Sequence, residues 1–198
     1  MHPTENNKSL KIHLPLVRCG EVRFIRDALE ALEEVYTALL QWHKLVAAAE
    51  RNAKTENGIH YRGAPRYELA GNFEVADDEA LCLARVEVTA PAYVEIVGGA
   101  NPLESLRNYL SRERIDWDRQ KQEPEEDRRL ALEQQRTDAV LDEVELLRGL
   151  NYPEVQIRRA LAKYVFAPFD HLDRFRGLAL YEEERCGQDS DIGAETGG

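Results

Sequence analysis

Along residues 10–17 the chain alternates, Leu10, Ile12, Leu14 and Leu16 being set against Lys11, His13, Pro15 and Val17. A period of two predicts a β-strand with one buried face. Pro15 has no N–H to give to a ladder, so this strand is expected to lie at a sheet edge or to end there. Beyond Cys19 and Gly20 the period changes. Val22, Ile25, Leu29, Leu32, Tyr36, Leu39 and Val46 recur at steps of three and four, which predicts one side of a long helix. Ala47, Ala48 and Ala49 keep helix propensity high to about residue 50. This helix is expected to cover one face of the sheet, with its surplus length free for a partner.

The periodicity fails over residues 51–79, where Gly58, Gly63, Pro65 and Gly71 interrupt a polar stretch carrying Tyr61, Tyr67 and Phe73. A loop of that length is a candidate contact surface or a tolerated insertion. Two β-type runs follow. Cys82, Ala84, Val86 and Val88 predict the core face of the first, Val94 and Ile96 that of the second, and Ala90-Pro91 the hairpin turn between them. Asn101, Pro102 and Glu104 then read as the start of a helix whose apolar positions are Leu103, Leu106, Tyr109 and Leu110.

Residues 111–129 are dense in charge, and Pro124 requires a joint. From 125 to 148 the pattern predicts one uninterrupted helix with Leu130, Leu132, Val140, Leu141, Val144 and Leu147, its stripe dense only in the second half. Gly149 is the expected helix stop and Asn151-Tyr152-Pro153-Glu154 the next start, giving a helical hairpin that runs to about Phe166 and ends before Pro168. Phe169, Leu172 and Phe175 add a short apolar anchor.

The runs V-E-I-V-G-G-A-N-P-L-E-S-L-R-N-Y-L (residues 94–110) and L-L-R-G-L-N-Y-P-E-V-Q-I-R-R-A-L (residues 146–161), with the preceding strand and long helix, resemble an uncharacterised group of bacterial proteins. The resemblance spans most of residues 10–180 and consists of cap and turn chemistry. It implies a bacterial cytosolic accessory or adaptor protein, of the kind that accompanies signalling or defence proteins, and it brings no catalytic residue with it.

Charge narrows the range of partners. Thirty-seven acidic against 26 basic side chains give a formal charge of -11 over 198 residues, an average field that repels phosphate backbones and anionic lipid. Cys19, Cys82 and Cys186 are odd in number and have no C-x-x-C spacing, which points to a reducing cytoplasm. No apolar run approaches the roughly 20 residues of a membrane span.

Candidate chemistry is sparse. Val97-Gly98-Gly99-Ala100-Asn101 joins a strand to a helix N-terminus that would suit a phosphate, but it lacks any phosphate-loop fingerprint and reads first as a turn and cap. His2, His13, His43, His60 and His171 have no metal-ligand spacing, and His43 beside Trp42 reads as a half-exposed packing residue. Cys19 and His13 sit too far apart along a strand to act together, and Cys82 reads as a buried small hydrophobe. The carboxylate clusters at Asp77-Asp78-Glu79, Asp116 with Asp118, and Glu123 with Glu125, Glu126 and Asp127 read as solvated faces.

The expected fold class is therefore α+β: a small, mainly antiparallel sheet covered by a long helix, with a C-terminal helical hairpin or coiled-coil-like arm. The expected divisions are an unstructured start over residues 1–9, a core over 10–112, the arm over 113–181 and an acidic tail over 182–198. The expected role is non-catalytic contact with a protein partner or with a second copy, through Leu130, Val140, Leu141, Val144 and Leu147 on the arm. A first rival is DNA binding through Arg148, Arg158, Arg159 and Lys163, which the acidic surroundings make unfavourable. A second is an enzyme of unrecognised type, which a deep pocket lined by His43, His60 or paired carboxylates would support. No cofactor, metal, membrane or small-molecule partner is expected.

Overall fold

Strand β1 (Asn7–His13) runs antiparallel to β3 (Tyr93–Gly99), with Leu10 opposite Ile96 and Ile12 opposite Val94. The alternation predicted for residues 10–14 holds: Leu10, Ile12 and Leu14 are buried. In this computed structural model, residues 7–14, 22–56, 69, 73–88, 92–113, 125–175 and 178–180 are described. Pro15, Leu16, Val17, Cys19, Cys186, residues 1–6, just over half of the 51–79 stretch and the expected tail over 182–198 lie outside them, whereas residues 7–9 of the expected unstructured start belong to β1. The sheet order is β2 (Cys82–Glu87), β3, β1, β4 (Ala179–Leu180), all antiparallel, so β1 is an inner strand that stops short of Pro15.

Edge strand β2 departs from its sequence pattern. A register shift at Ala84 puts Leu83 opposite Ile96 and Val86 opposite Val94, so both residues share the face that the simple alternation divides between them. The helical layer does not reach this edge, and Leu83 and Val86 remain 51% and 38% exposed. Cys82 is exposed too, which corrects its assignment to the core.

Helix α1 (Val22–Glu56) is longer than predicted and buried over more than one stripe. Besides Leu32, Tyr36, Leu39 and Val46 it buries Ala28, Ala31, Val35, Trp42, Leu45 and Ala49. The cause is a second wall. Helix α2 (Ala100–Glu113) meets α1 next to the sheet, with Leu103, Leu106, Tyr109 and Leu110 buried as their spacing predicts, and the later helices close over α1 from elsewhere.

The segment predicted as one helix over 125–148 is two, α3 (Glu125–Asp138) and α4 (Leu141–Gly149). Ala139 and Val140 form the break. Val140 takes φ -127° and ψ 29°, and its N–H bonds back to the Thr137 carbonyl at 3.1 Å. No glycine or proline marks the spot; burial of Ala139 and Val140 in the core outweighs helix continuity. The stop after α4 also differs from expectation. Gly149 stays helical and Asn151 takes the left-handed conformation at φ 61°. Asn151 N–H reaches the Arg148 carbonyl and Tyr152 N–H the Leu147 carbonyl, the paired bonds of a Schellman cap.

Helix α5 (Glu154–Leu161) continues through a π turn (Ala162–Phe166) into α6 (Ala167–Leu172). Pro168 therefore lies in the first turn of a helix instead of ending one. A proline clashes with the carbonyl four residues earlier, here Tyr164, which lies within the widened turn.

Buried residues of the expected core and of the expected arm form one continuous cluster, from Leu10 and Trp42 through Val144 and Leu147 to Phe169 and Leu178. The C-terminal hairpin is thus packed onto α1 instead of standing away from it. Arg136 of α3 fastens this joint: it is buried and pairs with Asp170 at 2.7 Å and with Asp173, which also accepts the Tyr109 hydroxyl.

Candidate functional site

A cleft of about 370 Å³ opens between α2 and the α3–α4 break, with His43 of α1 among its walls. Three local facts make it. Asn101, Glu104, Ser105 and Asn108 recur at helical spacing and form one polar row along α2. The break at Ala139 and Val140 turns Asp138, Asp142 and Glu143 toward that row. On α1, Trp42 is wholly buried, and the next residue, His43, is directed into the cleft.

His43 is bonded at both ring nitrogens. Nδ1 lies 3.1 Å from Glu143 Oε1, and Nε2 lies 3.2 Å from Ser105 Oγ. A carboxylate can only accept, so Nδ1 carries a proton toward Glu143, and in the tautomer with Nε2 bare that nitrogen accepts the Ser105 hydroxyl proton. Burial alone would push the Glu143 carboxyl up. The hydrogen bond and charge of His43, helped by a backbone N–H in the first turn of α4, outweigh it and hold the group below the usual carboxylate range.

The lining is acidic. Glu104, Asp138, Asp142 and Glu143 all border the cleft. Lys8 and Arg107 approach Glu104 at 3.6 and 3.9 Å, and Gln134 donates to Asp138 at 2.7 Å. Among the described residues no set of three His, Cys, Asp or Glu side chains is placed to hold a metal ion.

The residues singled out on the arm divide. Val140, Val144 and Leu147 have no exposure and present no surface, because the hairpin packs on α1. Leu130 is 59% exposed, and Leu141, 37% exposed, borders the cleft. The basic residues divide as well. Arg148 and Arg158 both reach Glu154 Oε1, at 3.1 and 3.5 Å, and Lys163 lies 4.6 Å from the centre of the Tyr164 ring; Arg159 is exposed. Glu154 thus offsets charge that a phosphate backbone would need.

The glycine junction before α2 is structural, as its sequence suggests. The Gly99 N–H donates to the Tyr36 hydroxyl at 2.7 Å, so it is not offered to a phosphate. Of the other candidates, His171 pairs with Glu34 at 2.6 Å, and Glu79 pairs with Lys44. Ser105 and Glu143 were not legible as site residues from sequence. The one local signal was the row Asn101, Ser105 and Asn108 beside the apolar stripe of α2.

No helix among the described residues is long and apolar enough to cross a membrane. Comparison with family models, curated proteins and solved structures finds no match, so the resemblance noted in the sequence brings no family assignment.

Proposed function

We propose that the chain is a protein-interaction module, an adaptor or accessory protein, that receives a basic segment of a partner protein in the acidic cleft between α2 and α4. The observation that carries this reading is the lining: four carboxylates around about 370 Å³, with Leu141 exposed at the border. A lysine or arginine side chain entering there gains charge-assisted hydrogen bonds from Asp138, Asp142 and Glu104, while its aliphatic stem meets Leu141. The net charge of -11 favours encounter with such a partner and disfavours nucleic acid.

The contact expected along the arm is accordingly relocated. Leu141 is retained, Leu130 lies on a different helix, and the three enclosed residues drop out.

The test is a titration of the full chain with fluorescent peptides of equal length, one rich in lysine and arginine and one rich in glutamate, over a salt series. The basic peptide is expected to bind more tightly, to weaken as salt rises, and to weaken about tenfold with Asp138→Asn and Asp142→Asn combined, roughly 1.4 kcal/mol. Equal affinity for the two peptides, or no effect of the double substitution, would refute the reading.

A further inference from the structure

We infer that the same cleft carries a hydrolytic relay in which Ser105 is the nucleophile, His43 the general base and Glu143 the group that orients His43, acting on an acyl ester that bears a positive charge. The inference rests on the cleft being the binding site and goes beyond docking in assigning it a reaction.

Geometry carries it. Nucleophilic catalysis by serine needs an imidazole nitrogen in hydrogen-bond reach of the hydroxyl and an acceptor fixing the ring through its other nitrogen. Ser105 Oγ, His43 Nε2, His43 Nδ1 and Glu143 Oε1 stand in that order at 3.2 and 3.1 Å. Both Ser105 and His43 border the cleft, Ser105 being 5% exposed at its wall. Asn101 and Asn108 sit one turn to either side of Ser105 on the same row and border the same cleft.

The acidic lining selects the substrate. Carboxylates near the reacting carbon oppose a negative tetrahedral intermediate, and a cation on the substrate both offsets that field and anchors the molecule against Asp138 and Asp142. A cationic ester suits the cleft; an anionic one does not.

The steps balance without a further reagent. Ser105 Oγ bonds to the acyl carbon as its proton passes to His43 Nε2. The ester C–O bond breaks, and the leaving alcohol takes that proton, leaving acyl-Ser105. Water then attacks the acyl carbon, gives a proton to Nε2, and release of the acid returns the proton to Ser105 Oγ. The net change is ester and water to acid and alcohol. Glu143 holds the Nδ1–H throughout and touches no substrate, which makes it a positioning residue.

The test uses the full chain and a neutral alkyl fluorophosphonate, with the modified peptide located by mass spectrometry, followed by hydrolysis of acetylthiocholine against a carboxylate-bearing thioester. The expected result is a single adduct on Ser105, absent in Ser105→Ala, formed about 10²-fold or more slowly in His43→Gln, with turnover favouring the cationic thioester. Glu143→Gln is expected to alter the pH profile of labelling as well as its rate, which a purely structural role would not do. No adduct on Ser105 in the unmodified protein overturns the inference, as does an adduct whose rate is indifferent to His43→Gln. Basic-peptide titration of the unmodified protein separates the two readings: binding with no adduct on Ser105 removes the relay alone, and an adduct without peptide binding removes the adaptor reading alone.

Discussion

Tyr36 occupies the space that a side chain at Gly98 would need: a Cβ there would stand 2.7 Å from the Tyr36 ring and hydroxyl. The same hydroxyl accepts the Gly99 N–H at 2.7 Å and donates to the Glu79 carbonyl at 2.9 Å. One side chain of the central helix thus ties the end of β3 to the turn that precedes β2. Gly98→Ala is expected to cost about 1–3 kcal/mol by overpacking. Tyr36→Phe, which keeps the ring and orphans two backbone groups, is expected to cost about 1–3 kcal/mol. Urea unfolding of both variants measures these losses.

Removal of side chains along the C-terminal hairpin is expected to sort by burial and not by hydrophobicity. Leu147 is fully enclosed, so Leu147→Ala is expected to lose about 2–5 kcal/mol through the cavity it leaves. Leu130 is exposed, and Leu130→Ala is expected to stay within about 0.5 kcal/mol of the parent. Equal losses in a denaturant titration would mean that the hairpin is not packed on α1.

Arg136 and Arg148 form ion pairs of different kinds. Arg136 is enclosed with Asp173, and Arg136→Ala is expected to cost about 3–5 kcal/mol because a carboxylate is left without its cation. Arg148 meets Glu154 in solvent, and Arg148→Ala is expected to leave the melting temperature almost unchanged. Calorimetry on the two variants checks the contrast.

Acid should weaken the cleft in a defined direction. Glu143 titrates below its ordinary range in the folded chain, so the unfolded chain binds its proton first as pH falls. The resulting stabilisation is complete above the ordinary glutamate value, near pH 4.3 by the usual reference, and is lost as pH drops through the lower, folded value. Glu143→Gln is expected to flatten this part of the stability curve, and unfolding free energies measured from pH 6 down to pH 3 test the sign.

Local periodicity made β1, α1 and α2 legible, because the face that Leu10, Ile12, Leu103 and Leu106 mark is the face the fold buries. Elsewhere a distant partner decided the outcome. β2 reads as half buried but lies at an edge where the helices stop, and the break at Val140 follows from packing without any local breaker. Asn151 and not Gly149 closes α4 because the left-handed position falls two residues later. The candidate site lay beyond sequence reading for the same reason. His43 and Ser105 stand 62 residues apart, and neither has a neighbour in sequence that announces the other.

The burial of α1 against the sheet and α2 as well as the C-terminal helices bears on how the molecule comes apart. Trp42, Leu45, Ala49, Val35 and Leu39 all belong to one buried cluster that the sheet, α2 and the C-terminal helices share, so removing residues 125–180 or removing the strands would open that cluster to water. Neither half can therefore melt and leave the other standing, and heat or denaturant should dismantle this protein in a single step.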